Sequence, residues 1–102
     1  MENATRILVV CTHQGITETI LRLINNNPAW HATGVSTVSD AEKELNDTSY
    51  ELLLLGNGLS ADEELQLSTS AKSINDAIKV IQHFGGGSGL LFAEIYEALG
   101  RG

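Results

Sequence analysis

An α/β fold, a four-stranded parallel sheet in the order 2-1-3-4 with helices on its faces, is what this chain predicts. Three observations carry the prediction. Arg6-Ile-Leu-Val-Val-Cys11 and Tyr50-Glu-Leu-Leu-Leu-Leu55 are nearly unbroken apolar runs, the pattern of strands buried on both faces. Helical spacing alternates with the strand-like runs, so the order reads βαβαβαβα. Helix-opening signals sit between them, in Ser39-Asp-Ala-Glu42 and Ser60-Ala-Asp-Glu63.

The elements follow in turn. After the first strand, Thr12-His-Gln-Gly15 reads as a loop. Ile16, Ile20, Leu23 and Ile24 mark the inner stripe of a first helix, ended by Asn25-Asn-Asn-Pro28. Trp30 to Thr37 is a less apolar second strand, suited to a sheet edge. A second helix opens at Ser39 and runs through Ala41 and Leu45 to a break at Asp47-Thr-Ser49. The third strand, Tyr50 to Leu55, is central, and Gly56-Asn-Gly-Leu59 turns the chain into a helix carrying Leu65, Leu67 and Ala71. A fourth strand, Ile78 to Phe84, leads through Gly85-Gly-Gly-Ser-Gly89 into a last helix. There Leu91, Ile95 and Ala98 share a face, with Glu94 and Glu97 outward.

Composition bounds the function. With 102 residues, 42% of them hydrophobic, the chain reads as one globular domain, residues 1–102. A formal charge of -7 with six Lys and Arg argues against nucleic acid, whose phosphates demand a basic surface. No apolar run approaches the roughly 20 residues that cross a bilayer. Absence of a signal-peptide pattern and a single cysteine, Cys11, fit a reducing compartment, so the sequence reads as cytoplasmic.

In the order 2-1-3-4, Cys11 and Gly56 end adjacent central strands and would sit side by side, where ligands of such sheets bind. Cys11, His13 and His83 all lie at strand ends, which suggests a soft-ligand metal site or a histidine-activated thiolate. No CxxC or HxxxH spacing supports a metal, and the cysteine equally suits a small buried apolar position. The loop residues Gly85, Gly86, Gly87 and Ser88 suggest a phosphate or nucleotide cradle, with His13 and His83 nearby, but lack the P-loop ending and the GxGxxG spacing. The plainer reading is a turn in which Ser88 caps the last helix.

Ile7-Leu-Val-Val10, then Val35-Ser-Thr-Val-Ser-Asp-Ala-Glu42, then Tyr50-Glu-Leu-Leu-Leu-Leu-Gly-Asn-Gly-Leu-Ser60 together resemble a response-regulator receiver domain, a CheY-like module with a flavodoxin-like three-layer fold. That resemblance implies phosphoryl transfer to an aspartate beside acidic residues that hold Mg²⁺. The acidic positions after the first strand are here Cys11 and Thr12, and the phospho-accepting position is Gly56. None of the three supplies the carboxylate oxygen that Mg²⁺ or a phosphoryl group requires. A helix and the fifth strand are also missing from the pattern. The expectation is a degenerate, truncated receiver: a non-catalytic signalling or protein-interaction module with no cofactor.

Cys11-Thr-His-Gln-Gly-Ile-Thr17 is also similar in outline to the IIB components of sugar phosphotransferase systems, which would make Cys11 a phosphocarrier. Finally, losing a helix and strand exposes the flank of strand four. Ile78, Val80, Phe84, Phe92 and Tyr96 are therefore the expected homodimer interface.

Overall fold

The computed structural model describes residues 5–56 and 58–82, with Ala93, Ile95, Glu97 and Ala98 beyond them. Four strands, β1 (Thr5–Val10), β2 (Trp30–Val35), β3 (Leu52–Leu55) and β4 (Lys79–Gln82), alternate with α1 (Gln14–Asn25), α2 (Val38–Asp47) and α3 (Ala61–Ile74). The sheet is parallel throughout and ordered β2-β1-β3-β4, as expected. Ile7 faces Leu52 across the central pair, and Val10 faces Leu55. Ala93, Ile95, Glu97 and Ala98 are helical.

Strand alternation divides the core into two layers. Ile7, Val9, Leu52 and Leu54 pack on one face with Ile20 and Ile24 of α1, and Ile95 and Ala98 join them there. Leu8, Val10, Leu53 and Leu55 pack on the other face with Ala41 and Leu45 of α2 and Leu67 and Ala71 of α3. All four β3 leucines are fully buried, which is why that run shows no polar alternation. Burying each contributes about 1.5–3 kcal/mol.

Several boundaries and faces depart from the sequence reading. The α2 cap is Thr37, whose hydroxyl accepts from the Asp40 amide at 3.1 Å, and the helix begins at Val38, before Ser39. That start brings Val38 against the same core as Ala41 and Leu45. The Ser60 capping box forms as expected: Ser60 Oγ accepts from the Glu63 amide and Glu63 Oε1 from the Ser60 amide. Leu65, one of the three apolar residues read as carried by this helix, is 67% exposed. It stands two residues, about 200°, from buried Leu67, so the two cannot share a face.

Polar contacts lash the outer face together. Glu42 Oε2 on α2 accepts from Gln66 Nε2 at 3.0 Å and from Ser70 Oγ at 3.1 Å, both on α3. Tyr50, buried just before β3, donates its hydroxyl to Glu44 Oε1 at 2.8 Å. Burial raises its pKa above the ordinary 10.0, and the neighbouring Glu44 carboxylate adds to the rise.

Candidate functional site at the carboxyl edge of the sheet

Cys11 and Gly56 meet at the carboxyl ends of β1 and β3, as their strand positions require. The Gly56 amide donates to the Val10 carbonyl at 2.8 Å, and the Cys11 amide donates to Val35 at 3.1 Å. Both residues are buried. A Cβ on Gly56 would stand 2.9 Å from Cys11 Cβ and 3.1 Å from its Sγ. Carbon atoms in good contact lie about 3.5–4.0 Å apart, so this place holds no side chain. The glycine is required by its neighbour.

The loop above is closed by a second close approach. Gly58 has φ +98°, in the left-handed region, and a Cβ there would overlap Thr12 Oγ1. Thr12 thus lies against the β3–α3 turn, with Cys11 and Gly56 at the strand ends beneath.

A cluster of donors holds the β1–α1 loop. The Cys11 thiol donates to the His13 carbonyl at 3.7 Å, and the Thr17 hydroxyl reaches the same carbonyl at 3.1 Å and that of Cys11 at 3.3 Å. The Thr17 amide also donates to His13, at 3.0 Å. His13 is the N-cap residue of α1, but its side chain makes no capping bond. Its exposed imidazole lies over Gly15, with Cε1 3.7 Å from where a Gly15 Cβ would stand.

The donor set does not fit a divalent cation. Cys11 is fully buried with its thiol on a carbonyl, Thr12 offers only a neutral hydroxyl, and Gly56 has no side-chain ligand. Among the described residues no group of three or more His, Cys, Asp or Glu is placed to hold a metal. Nor is Cys11 presented as a phosphocarrier would present it, since its sulfur has no exposed surface for a donor to approach.

Of the remaining expected site residues, His83, Gly85, Gly86, Gly87 and Ser88 lie outside the described residues, as do Phe84, Phe92 and Tyr96. Ile78 is a correction: it is 1% exposed, packed with Tyr50 and Leu67, and has no surface to give an interface. Val80 is half-buried against the same core, and Ile81 against the opposite one. No described helix is long and apolar enough to cross a membrane.

The sequence reading missed an open feature beside the closed one. A groove of about 440 Å³ lies between α1 and α2 above β2, reached by Thr12, Thr17, Glu18, Gly34 and Asp40. Its signal was Gly34 within a strand, a common mark of close backbone approach.

No protein-family model matches the sequence, and no curated protein matches it. Its backbone, however, is similar to solved structures. A CheY-like response-regulator receiver domain protein from Methanospirillum hungatei superposes with a TM-score of 0.71 at 18% identity, over 94% of this chain and 76% of that one. A LuxR-family two-component response regulator from Aurantimonas gives 0.68 at 15% identity, over 94% and 69% of the two chains. A putative pilus assembly-related protein from Burkholderia pseudomallei gives 0.64 at 12%, over 96% and 75%. The chain therefore has the CheY-like, flavodoxin-like receiver fold.

Proposed function

We propose that the chain is a pseudo-receiver: a non-catalytic docking module of two-component-type signalling that is not phosphorylated. The observation that carries this reading is the contact between Gly56 and Cys11. The Cβ of an aspartate at position 56 would already stand 2.9 Å from Cys11 Cβ and 3.1 Å from its Sγ, so the acceptor position and its neighbour form one packed unit. The buried thiol disfavours the alternative of a Cys11 phosphocarrier. Incubation with acetyl phosphate and Mg²⁺, followed by intact mass, should yield no phosphoryl adduct. An adduct on Cys11 or on any aspartate would sink the proposal.

The place of the last helix supports the reading of a single, shortened domain. Right-handed crossovers moving one way along a sheet keep their helices on one face, as α2 and α3 are. Ile95 and Ala98 pack on the opposite face with α1. Only ten residues separate Gln82 from Ala93, fewer than a parallel crossover needs. A missing helix–strand unit would leave β4 at the sheet's end, and we include in the proposal a homodimer through β4 and the last helix. Half-buried Val80 and Ile81 support it. Sedimentation that shows a monomer at high micromolar concentration, unaltered by Val80→Asp, would remove the dimer. The single cysteine supports placing the module in the cytoplasm.

A further inference from the structure

The groove between α1 and α2 is an open cavity among the described residues of the sheet's carboxyl edge, one strand away from the place where Cys11 and Gly56 meet. Its floor is apolar for a specific reason. Gly34 has no Cβ, and one placed there would stand 2.8 Å from both Leu21 Cδ1 and Thr17 Cγ2. Those two carbons therefore come down onto the strand. Thr17 turns its hydroxyl the other way, onto the Cys11 and His13 carbonyls, and leaves its methyl toward the glycine. Val35, next on the strand, borders the groove but packs its side chain on the opposite face of the sheet, with the core of Ala41 and Leu45.

Around it the chemistry changes sign of character. Glu18 and Asp40, both exposed, stand on the two helices that form the walls, and no Lys or Arg is among the described residues lining the groove. Arg22 and Lys43, the nearest bases in sequence on those helices, do not reach it. A volume of about 440 Å³ accommodates one long side chain with room for its backbone. An apolar floor under an anionic wall suits an alkyl stem that ends in a cation.

We propose that this groove receives a lysine or arginine side chain from a partner protein, its stem over Thr17, Leu21 and Gly34 and its charge between Glu18 and Asp40. The proposal rests on the reading of the chain as a docking module and names the chemistry of what docks.

The test is a titration of the ¹⁵N-labelled protein with the capped tripeptides acetyl-Gly-Lys-Gly-amide and acetyl-Gly-Arg-Gly-amide, followed by amide shifts. The tripeptide with N-acetylated lysine is the neutral control. Shifts should gather at Thr17, Gly34, Val35 and Asp40, weaken with salt, and vanish for the acetylated control. Glu18→Gln and Asp40→Asn each remove a surface charge, and each should weaken binding about two- to fivefold. Because both side chains are exposed, the variants should keep the parent spectrum elsewhere. Shifts of equal size with the acetylated peptide, shifts scattered over the surface, or no shift at millimolar peptide would each overturn the groove. None of these results bears on phosphorylation, which the acetyl phosphate assay reads separately, so the two proposals can fail independently.

Discussion

Gly56→Ala tests the central contact directly. The new methyl would meet Cys11 Cβ at 2.9 Å and Sγ at 3.1 Å, with the Val10 carbonyl at 3.5 Å. Cys11 Cβ is fixed to the backbone and cannot swing aside, and the two strand ends are tied by the 2.8 Å bond from the Gly56 amide to Val10. Relief therefore means prying β1 from β3. Overpacking of this kind costs about 1–3 kcal/mol, and the lower entropy of unfolded alanine returns about 0.4–1 kcal/mol. The net is a loss of about 1–2 kcal/mol, or a Tm lowered by about 4–16 °C for a domain of this size. Urea unfolding gives the value, with an unchanged m confirming a change in stability alone. Cys11→Gly removes the opposing Cβ, so in the double variant the alanine should cost at least ~1 kcal/mol less than in the parent. A neutral Gly56→Ala, or strict additivity in the cycle, would refute the packing argument.

Two further outcomes follow from the core. Tyr50 holds its proton past its ordinary pKa of 10.0 when folded, whereas the unfolded phenol releases it near that value. Between those points the folded state binds more protons, so stability should fall as pH rises above about 10. In Tyr50→Phe, measured by chemical unfolding across that range, this part of the fall should be absent; an identical profile would contradict the assignment. On α3, Leu67→Ala should cost about 2–5 kcal/mol, while Leu65→Ser should stay within about 0.5 kcal/mol in the same assay. Equal losses would mean the helix is rotated from the phase described.

Much of the architecture is legible in the sequence. Uniform apolar runs at Ile7–Val10 and Leu52–Leu55 name the central strands, and with the alternation of helices they place Cys11 beside Gly56. The departures come from features that no local pattern holds. Thr37 and Ser39 both stand three residues before an acid, and only the packing of Val38 selects the first. Leu65 has the right character but the wrong helical phase. Ile78 belongs by composition to an exposed flank, yet it stands just ahead of β4 and is buried in the core that includes Tyr50 and Leu67. The closures at Gly56 and Gly58 depend on which residue just past the end of β1 faces each glycine, a matter of sheet register. The groove was hidden for the same reason, since it joins residues of α1, β2 and α2.

The Thr17 hydroxyl has a mechanical consequence. Only Cys11, Thr12 and His13 lie between β1 and α1, and the carbonyls at both ends of that span are gripped by one buried side chain from the helix that follows. Strand, loop and first helical turn then have no slack relative to one another. Opening the loop would break both bonds of the buried Thr17 hydroxyl and release two carbonyls at once. On the docking reading proposed above, a partner meeting this end of the protein would find a surface of fixed relief. Whatever information the module carries would lie in whether that surface is present and within reach, and not in a change of its shape.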